Sequence, residues 1–332
     1  MSELRRLTLP GTAVTTTVLG FGCSGLLGDK TPEEGTRLLS AAYEAGIRHF
    51  DVARYYGYGD AEGLVGALAK GRRDQVTLTT KFGIQPIGPV AQSKGVIRVV
   101  RRVMRFSPLI RDLVRRKVSS LVQRGRFDVE SARSSLETSL RELKTDYVDI
   151  FLLHECEPED CQSMDLLEFL TQSRQQGKIL SFGVGGAFSR IEAVCRAAPE
   201  FTAVAQFDSQ LLSDHVRRVP QKDQQNGRAR ALITFGSFSA LSWLRSELKG
   251  DCKFAAQCSE ALEADIHDPA VLPGLILQQA LHANPSGLTI FRSSRPENIM
   301  QNVRSVTDRP FGAEALEQFN RLVSSRIAAI PQ

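Results

Sequence analysis

The sequence predicts an α/β protein whose strands and helices form a single (β/α)8 TIM barrel domain over residues 1–332. Short apolar, β-rich runs alternate with helical segments along most of the chain, and eight such strand–helix units can be counted. Alternation of this kind favours parallel strands that are joined by crossover helices. A length of 332 residues suits a barrel of eight units.

The first four predicted strands are mostly apolar, as is typical of strands that are buried on both faces of a parallel sheet. Their ranges are Val18–Gly22, Ile47–Asp51, Gln75–Lys81 and Val148–Leu153. The helices predicted around them run from Thr31 to Gly46, from Asp60 to Lys70, from Val129 to Leu143 and from Leu166 to Gln176. Thr31 is a suitable cap for the first of these helices, and a proline follows it in the first turn.

The second half of the chain repeats the pattern. Its predicted strands are Ile179–Val184, Ala203–Gln206, Ala231–Phe235 and Leu288–Phe291. Its predicted helices are Ile191–Ala198, Ser213–Asn226, Pro269–Ala283, Pro296–Val306 and a closing helix at Glu314–Ile327.

An open, doubly wound sheet that binds dinucleotides is the alternative fold. Residues 20–25 read GFGCSG and match the letters of the GxGxxG turn after a first strand. That fold also needs an acidic residue at the end of the second strand about 20 residues on, and the second predicted strand ends later than that, at Asp51. The barrel is therefore preferred.

Composition excludes several classes of protein. The chain is 42% hydrophobic and 24% charged, which is ordinary for a globular protein, and no apolar run reaches the roughly 18 residues that span a membrane. The N-terminus lacks the apolar stretch of a secretory signal, and the six cysteines form no CxxC pair, so we expect a cytoplasmic protein with reduced thiols and no metal site. The net charge of +5 comes from one segment, since residues 94–126 hold eleven Lys or Arg and one acid. We therefore expect no nucleic-acid partner.

That basic segment lies within a helical insertion predicted for residues 84–126, after the third strand. Its apolar residues recur at helical spacing opposite the arginines, with a break near Ser107-Pro108. A lid over the mouth of the barrel is the preferred interpretation. A solvated decoration and a basic surface for an anionic membrane or an acidic partner are the alternatives, and we expect that a membrane is not its partner.

Four polar side chains occur where catalytic residues of such barrels are found, at or just beyond the carboxyl ends of strands. They are Asp51, Tyr56, Lys81 and His154. A tyrosine hydroxyl normally titrates near 10, and a neighbouring lysine ammonium, held in place by an aspartate, is expected to lower that pKa. The tyrosine can then exchange a proton with a carbonyl oxygen that the histidine orients.

These residues lie in two segments that resemble signatures of the aldo-keto reductase family. Residues 50–57 (FDVARYYG), with Glu62 and Gly66 beyond them, resemble its Asp-Thr-Ala-x-x-Tyr-Gly motif. Residues 136–154 (LETSLRELKTDYVDIFLLH) resemble the signature that ends in its catalytic histidine. The resemblance implies that Asp51, Tyr56, Lys81 and His154 form the catalytic tetrad, with Tyr56 as general acid or base.

The resemblance also implies a nicotinamide cofactor across the barrel mouth. At the nicotinamide end, Gln206 is present and Phe235 stands where a stacking tyrosine is common, but Gly185 and Gly186 replace a Ser-Asn pair. Arg292 and Ser293 suit a phosphate at a helix N-terminus, which favours NADPH over NADH. The full predicted cofactor site comprises Gly22, Cys23, Asp51, Gly185, Gly186, Gln206, Phe235, Arg292, Ser293, Asn298, Gln301 and Asn302.

The expected function is therefore NADPH-dependent reduction of an aldehyde or ketone, or the reverse oxidation of an alcohol or sugar. A small carbonyl compound is the expected partner, and Phe238 and Trp243 are expected to line its pocket together with the insertion. The alternative is a nicotinamide-nucleotide-binding regulatory or partner-binding subunit with little catalysis. The substrate, the reaction direction and the oligomeric state stay open at this point.

Overall fold

Eight parallel strands close into a barrel in a computed structural model of the protein, which describes residues 3–27, 30–84, 125–222, 227–308 and 310–328. An antiparallel hairpin of β1 (Arg6–Thr8) and β2 (Thr15–Thr17) precedes the barrel. The barrel strands are β3 (Leu19–Gly22), β4 (His49–Asp51), β5 (Thr77–Phe82), β6 (Val148–His154), β7 (Ile179–Gly186), β8 (Val204–Asp208), β9 (Ala231–Phe235) and β10 (Leu288–Phe291). Each strand pairs with the next in chain order, and β10 pairs with β3 to close the ring. The predicted TIM barrel is confirmed.

The helices of the described residues follow the strands in the order that a (β/α)8 barrel requires. They are α1 (Pro32–Glu44), α2 (Ala61–Ala69), α3 (Val129–Leu143), α4 (Met164–Gln175), α5 (Phe188–Ala197), α6 (His215–Arg218), α7 (Leu241–Gly250), α8 (Cys252–Leu262), α9 (Val271–Ala283), α10 (Pro296–Thr307) and α11 (Ala313–Ala328). Helix α1 begins with the predicted cap, since the Thr31 hydroxyl accepts from the Glu34 amide and the Glu34 carboxylate accepts from the Thr31 amide. Among the helices of these ranges, none is both long enough and apolar enough to cross a bilayer.

Two kinds of apolar packing hold the barrel together. Side chains inside the barrel, such as Ile150, Leu152 and Ile233, pack with Leu9 and Val14 of the hairpin, which closes the end opposite the predicted site. A second cluster joins the helices outside the barrel to the strands. Apolar side chains therefore fill the interior at one end, and the predicted site lies at the other.

The structure corrects the prediction at three places. Of the helix predicted for Ser213–Asn226, the described residues form only α6. It ends at Arg218 because Val219 is extended before Pro220, as a residue before proline prefers, and residues 223–226 lie outside the described ranges. The hairpin was not predicted, and neither were α7 and α8, which pack with α9 and α11 as a separate apolar cluster. Trp243 belongs to that cluster.

Most of the predicted insertion lies outside the described residues, which stop at 84 and resume at 125. Its two ends meet, since a side chain on Gly125 would overlap the backbone of Gly83. The chain therefore leaves the barrel after β5 and returns to the same place. The lid prediction itself stays a prediction.

Close approach of α2 and α3 requires a glycine at position 66. A Cβ atom on Gly66 would lie 2.5 Å from the Leu143 carbonyl oxygen, whereas one on Gly63 of the same helix would have 4.0 Å to its nearest neighbour. We expect Gly66→Ala to lower the free energy of unfolding by about 1–3 kcal/mol through overpacking. Gly63→Ala is expected to raise it by about 0.5–1 kcal/mol through helix propensity. Urea unfolding of both variants checks this, and equal effects would contradict the close contact.

Candidate active site

A cavity of about 560 Å³ opens at the carboxyl ends of the barrel strands. It is lined by Gly22, Ser24, Asp51, Tyr55, Tyr56, Lys81, His154, Glu155, Gly186, Gln206, Phe235, Gly236, Ser237, Phe238, Ser239, Ile290, Phe291 and Arg292. The structure thus brings together all four predicted catalytic residues, which come from β4, the loop after β4, β5 and β6.

A buried ion pair forms the floor of the cavity. The Lys81 ammonium donates to Asp51 Oδ1 at 2.5 Å and to the Val52 carbonyl oxygen at 3.3 Å. From the far side of the barrel, the Gln206 amide donates to Asp51 Oδ2 at 2.7 Å. Asp51 and Lys81 are 5% and 2% exposed, so each charge is compensated by a partner rather than by water.

Tyr56 lies in a short 3-10 helix, Tyr56–Gly59, directly after β4. Its ring centre is 5.3 Å from the Lys81 Nζ and 4.8 Å from the ring centre of Tyr55. Burial, together with the charge of Asp51, raises the pKa of Tyr56 well above its ordinary value near 10, while Tyr55 and Arg292 act in the opposite direction. The net shift is upward, so the pKa of Tyr56 does not fall below its ordinary value as the sequence led us to expect. The hydroxyl is protonated at neutral pH and can serve as a proton donor.

His154 ends β6 and reaches the same cavity. Its ring lies 5.3 Å from the Tyr55 ring and 6.3 Å from the Tyr56 ring, centre to centre. Burial, reinforced by the Lys81 charge, lowers the pKa of His154 well below its ordinary value of 6.5. The imidazole is therefore neutral at pH 7, with one nitrogen as donor and the other as acceptor.

A second buried histidine, His49, lies two residues before Asp51 on β4. Its Nε2 is 3.2 Å from the Thr79 hydroxyl, and its Nδ1 has no partner within the described parts of the chain. Burial is the largest cause that lowers the pKa of His49, to about 4. No motif in the sequence indicated this residue, which lies between Arg48 and Phe50 within a predicted strand.

The predicted cofactor residues divide into two groups. Seven of them besides Asp51 line the cavity or lie directly behind its wall. Gly22, Gly186, Gln206, Phe235 and Arg292 line it, while Cys23 is buried and Gly185 packs against Gln206. The others do not line it. The Ser293 hydroxyl bonds to the backbone of Arg295, and Asn298, Gln301 and Asn302 belong to α10, where Asn298 is exposed and Asn302 is buried.

Several residues of the cavity wall were not predicted from the sequence. Ser237 is 3% exposed, and its hydroxyl has no hydrogen-bond partner among the described residues. It follows Gly236, whose φ of 83° turns the chain sharply after β9. Tyr55, Glu155 and Phe291 were also missed as lining residues, although the first two adjoin predicted catalytic residues. Phe238 lines the cavity as predicted, but Trp243 does not, because it packs among the outer helices.

This wall has the chemistry that a nicotinamide dinucleotide needs. Phe235, Phe238 and Phe291 offer flat apolar surface for a ring. The unpartnered Ser237 hydroxyl and the Arg292 guanidinium offer donors for phosphate oxygens. Among the described residues, no cluster of His, Cys, Asp and Glu suits a metal ion.

Comparison with known proteins identifies the family. Residues 18–223, more than half of the chain, match the sequence profile of the Aldo/keto reductase family. The chain belongs to the aldo/keto reductase family. A curated member, D-threo-aldose 1-dehydrogenase from Pseudomonas sp., is 28% identical over 55% of this chain and 53% of its own length. The chain thus spans about half the length of this relative.

Solved structures of the family share the fold. An aldo-keto reductase from Bacillus halodurans has a TM-score of 0.69 at 19% identity, and the alignment covers 96% of each chain. An aldo-keto reductase from Klebsiella pneumoniae in complex with NADPH has a TM-score of 0.63 at 22% identity, over 96% of this chain and 95% of that one. At these identities the likeness establishes the fold alone.

The two buried histidines make stability depend on pH. Both have lowered pKa values in the folded protein. Between pH 6.5 and about 4, His49 is therefore protonated in the unfolded chain but neutral in the folded protein. The free energy of unfolding should therefore fall as the pH falls below 6.5, by up to about 1.4 kcal/mol per pH unit for each histidine. Urea unfolding at pH 7.5, 6 and 5 measures this slope. His49→Gln should show a shallower slope than the unaltered protein, and identical slopes would contradict the role of His49.

Proposed function

We propose that this member of the aldo/keto reductase family is an NADPH-dependent carbonyl reductase, which also runs in reverse as an alcohol or sugar dehydrogenase. The observation that carries the proposal is the convergence of Tyr56, His154 and the Lys81–Asp51 pair on one cavity. The name of the Pseudomonas relative, an aldose dehydrogenase, is in keeping with this reaction class. A small carbonyl compound is the proposed partner.

Each of the four residues has a distinct task in the proposed reaction. A bound nicotinamide would supply hydride to the carbonyl carbon in reduction, or accept it from the alcohol carbon in oxidation. Tyr56 gives its proton to the carbonyl oxygen in reduction and takes it back in oxidation. Neutral His154 donates a hydrogen bond that orients this oxygen. The Lys81 ammonium, fixed by Asp51, stabilises the negative charge left on the Tyr56 oxygen.

The cofactor is proposed to lie from Tyr56 towards α10. Phe235 would stack on the nicotinamide ring, and Gln206 would meet the carboxamide together with the backbone of Gly185 and Gly186. Arg292 and Ser293 would bind a phosphate near the start of α10, with Cys23 and Gly22 behind the ring. Asn298, Gln301 and Asn302 would meet the adenosine. Arg292 is exposed and has no acidic partner among the described residues, which supports a role in binding an anion.

The six cysteines are free thiols, and five of them are buried. Protein thiols stay reduced in the cytosol, which supports the proposed cytoplasmic location.

The tyrosine mechanism is tested by Tyr56→Phe. Loss of the hydroxyl should lower kcat for aldehyde and ketone reduction by about 10²- to 10⁴-fold, because the proton donor is gone. NADPH affinity, measured by fluorescence titration, should change by no more than about threefold. Tyr55→Phe is the matched control and should keep kcat within about tenfold. Equal, negligible turnover by the unaltered protein and Tyr56→Phe over a panel of carbonyls would support a regulatory, nucleotide-binding subunit instead.

The preference for NADPH is tested by Arg292→Ala. A guanidinium bound to the extra phosphate should contribute about 10- to 100-fold to NADPH affinity and little to NADH affinity. Equilibrium binding of both dinucleotides measures this difference, with Arg295→Ala as the matched control because Arg295 is exposed and precedes the same helix. An equal loss of affinity for NADPH and NADH would show that Arg292 binds a group that both dinucleotides carry, and not the extra phosphate.

A further inference from the structure

The loop after β6 places a second carboxylate in the cavity, at Glu155. Asp51 is compensated by Lys81 and Gln206 on the cavity floor. Glu155 has no such partner on the floor, and its side chain is one-third exposed. The proposed mechanism makes no use of this carboxylate.

The backbone holds Glu155 in place. Its φ of 58° lies in the left-handed region, which non-glycine residues seldom adopt. The Glu155 amide donates to the Gly185 carbonyl oxygen at 2.8 Å, which fixes this conformation against β7. The side chain therefore turns towards the end of β7 and the cavity.

Gly186 provides the space that this carboxylate occupies. A Cβ atom on Gly186 would lie 2.8 Å from Glu155 Oε2 and 3.2 Å from the Glu155 Cα. Any larger residue at position 186 would push the carboxylate away. The position of the Glu155 carboxylate in the cavity wall thus depends on the absence of a side chain at residue 186.

Among the residues that the structure describes, hydrogen bonds reach only one of the two carboxylate oxygens. Oε2 accepts from the Ala187 amide at 3.2 Å and from the Arg190 guanidinium at 3.5 Å. Arg190 is shared with Glu157, at 3.0 Å, and is 42% exposed, so it offsets the Glu155 charge weakly. No hydrogen bond or ion pair among the described residues involves Oε1. This oxygen is available to a ligand in the cavity.

We propose that Glu155 selects carbonyl substrates that carry a hydroxyl group next to the carbonyl and disfavours substrates that carry a carboxylate. This inference rests on the proposed function, since it assumes a carbonyl that reacts beside Tyr56 and His154. An ionised carboxylate accepts hydrogen bonds and donates none. A substrate hydroxyl satisfies Oε1, a hydrocarbon substrate leaves it without a partner, and an anionic substrate is repelled.

The test compares three aldehydes, namely glyceraldehyde, propanal and succinic semialdehyde, by kcat/KM. The unaltered enzyme should prefer glyceraldehyde to propanal by about 10- to 100-fold, the range expected of a charge-assisted hydrogen bond. Glu155→Gln keeps the shape and removes the charge, and Glu155→Gly removes the side chain at a φ that glycine adopts freely. In Glu155→Gly the preference should fall to within about threefold, and Glu155→Gln should lie between. Both variants should gain activity on succinic semialdehyde.

Glu157→Gln is the matched control, because Glu157 belongs to the same loop and binds the same arginine but does not line the cavity. It should keep the preference of the unaltered enzyme. Unchanged preferences in both Glu155 variants, with turnover retained, would overturn this inference and leave the proposed function standing. Failure of the unaltered protein to reduce any of the three aldehydes would overturn both.

A binding experiment separates the substrate from the cofactor as the partner of Oε1. NADP+ carries an amide N–H donor on its ring, whereas its acetylpyridine analogue carries none. We expect the Glu155 variants to bind both dinucleotides as the unaltered protein does. Selective loss of NADP+ affinity would assign Glu155 to the cofactor and overturn the role in substrate selection.

Discussion

The geometry of the site depends on the ion pair between Lys81 and Asp51. Taking both charges out of water is costly, and the pair itself adds little net stability in a buried setting. The apolar core of the barrel must therefore offset this cost. The ion pair serves instead to hold the side chains of the site in fixed positions. Asp51 accepts from Lys81 on the adjacent strand and from Gln206 across the barrel, so one carboxylate links β4, β5 and β8.

The same pair reinforces the effect of burial on the protonation of the groups above it. The positive end helps burial to lower the pKa of His154, and the negative end helps burial to raise the pKa of Tyr56. Both groups are consequently uncharged at neutral pH, and each has a proton to offer as a hydrogen-bond donor. Burial and two opposite charges thus leave two neutral hydrogen-bond donors facing one cavity.

Strand positions were predictable because parallel strands buried on both faces are nearly continuous apolar runs. Observed and predicted strands agree within about two residues, and β9 and β10 agree at both ends. Asp51 and Lys81 were found because a charged residue that ends or interrupts such a run is conspicuous. Ser237 gave no such signal, since a serine after a strand is common and its buried, unpartnered hydroxyl is a property of the folded chain alone.

The features that could not be predicted from the sequence depend on contacts between distant segments of the chain. The left-handed backbone of Glu155 depends on the Gly185 carbonyl, thirty positions along the chain but adjacent across β6 and β7. Helices α7 and α8 pack against α9 and α11, so their apolar residues find partners only when the chain is folded. No local sequence pattern indicates either the hydrogen bond of Glu155 or the packing of these helices.

The two glycines at the end of β7 illustrate why a departure from a family pattern has to be interpreted in three dimensions. In sequence, Gly185 and Gly186 look like the loss of two polar side chains. In the structure, a Cβ atom on Gly185 would lie 3.0 Å from Gln206 Oε1 and 3.2 Å from a methyl of Leu152, and one on Gly186 would displace the Glu155 carboxylate. The space that the pattern assigns to side chains of β7 is filled here from β6 and β8. The polar groups of this wall have therefore been redistributed among neighbouring strands, and the acceptor at Glu155 carries a full charge that an amide or a hydroxyl at the same place would lack.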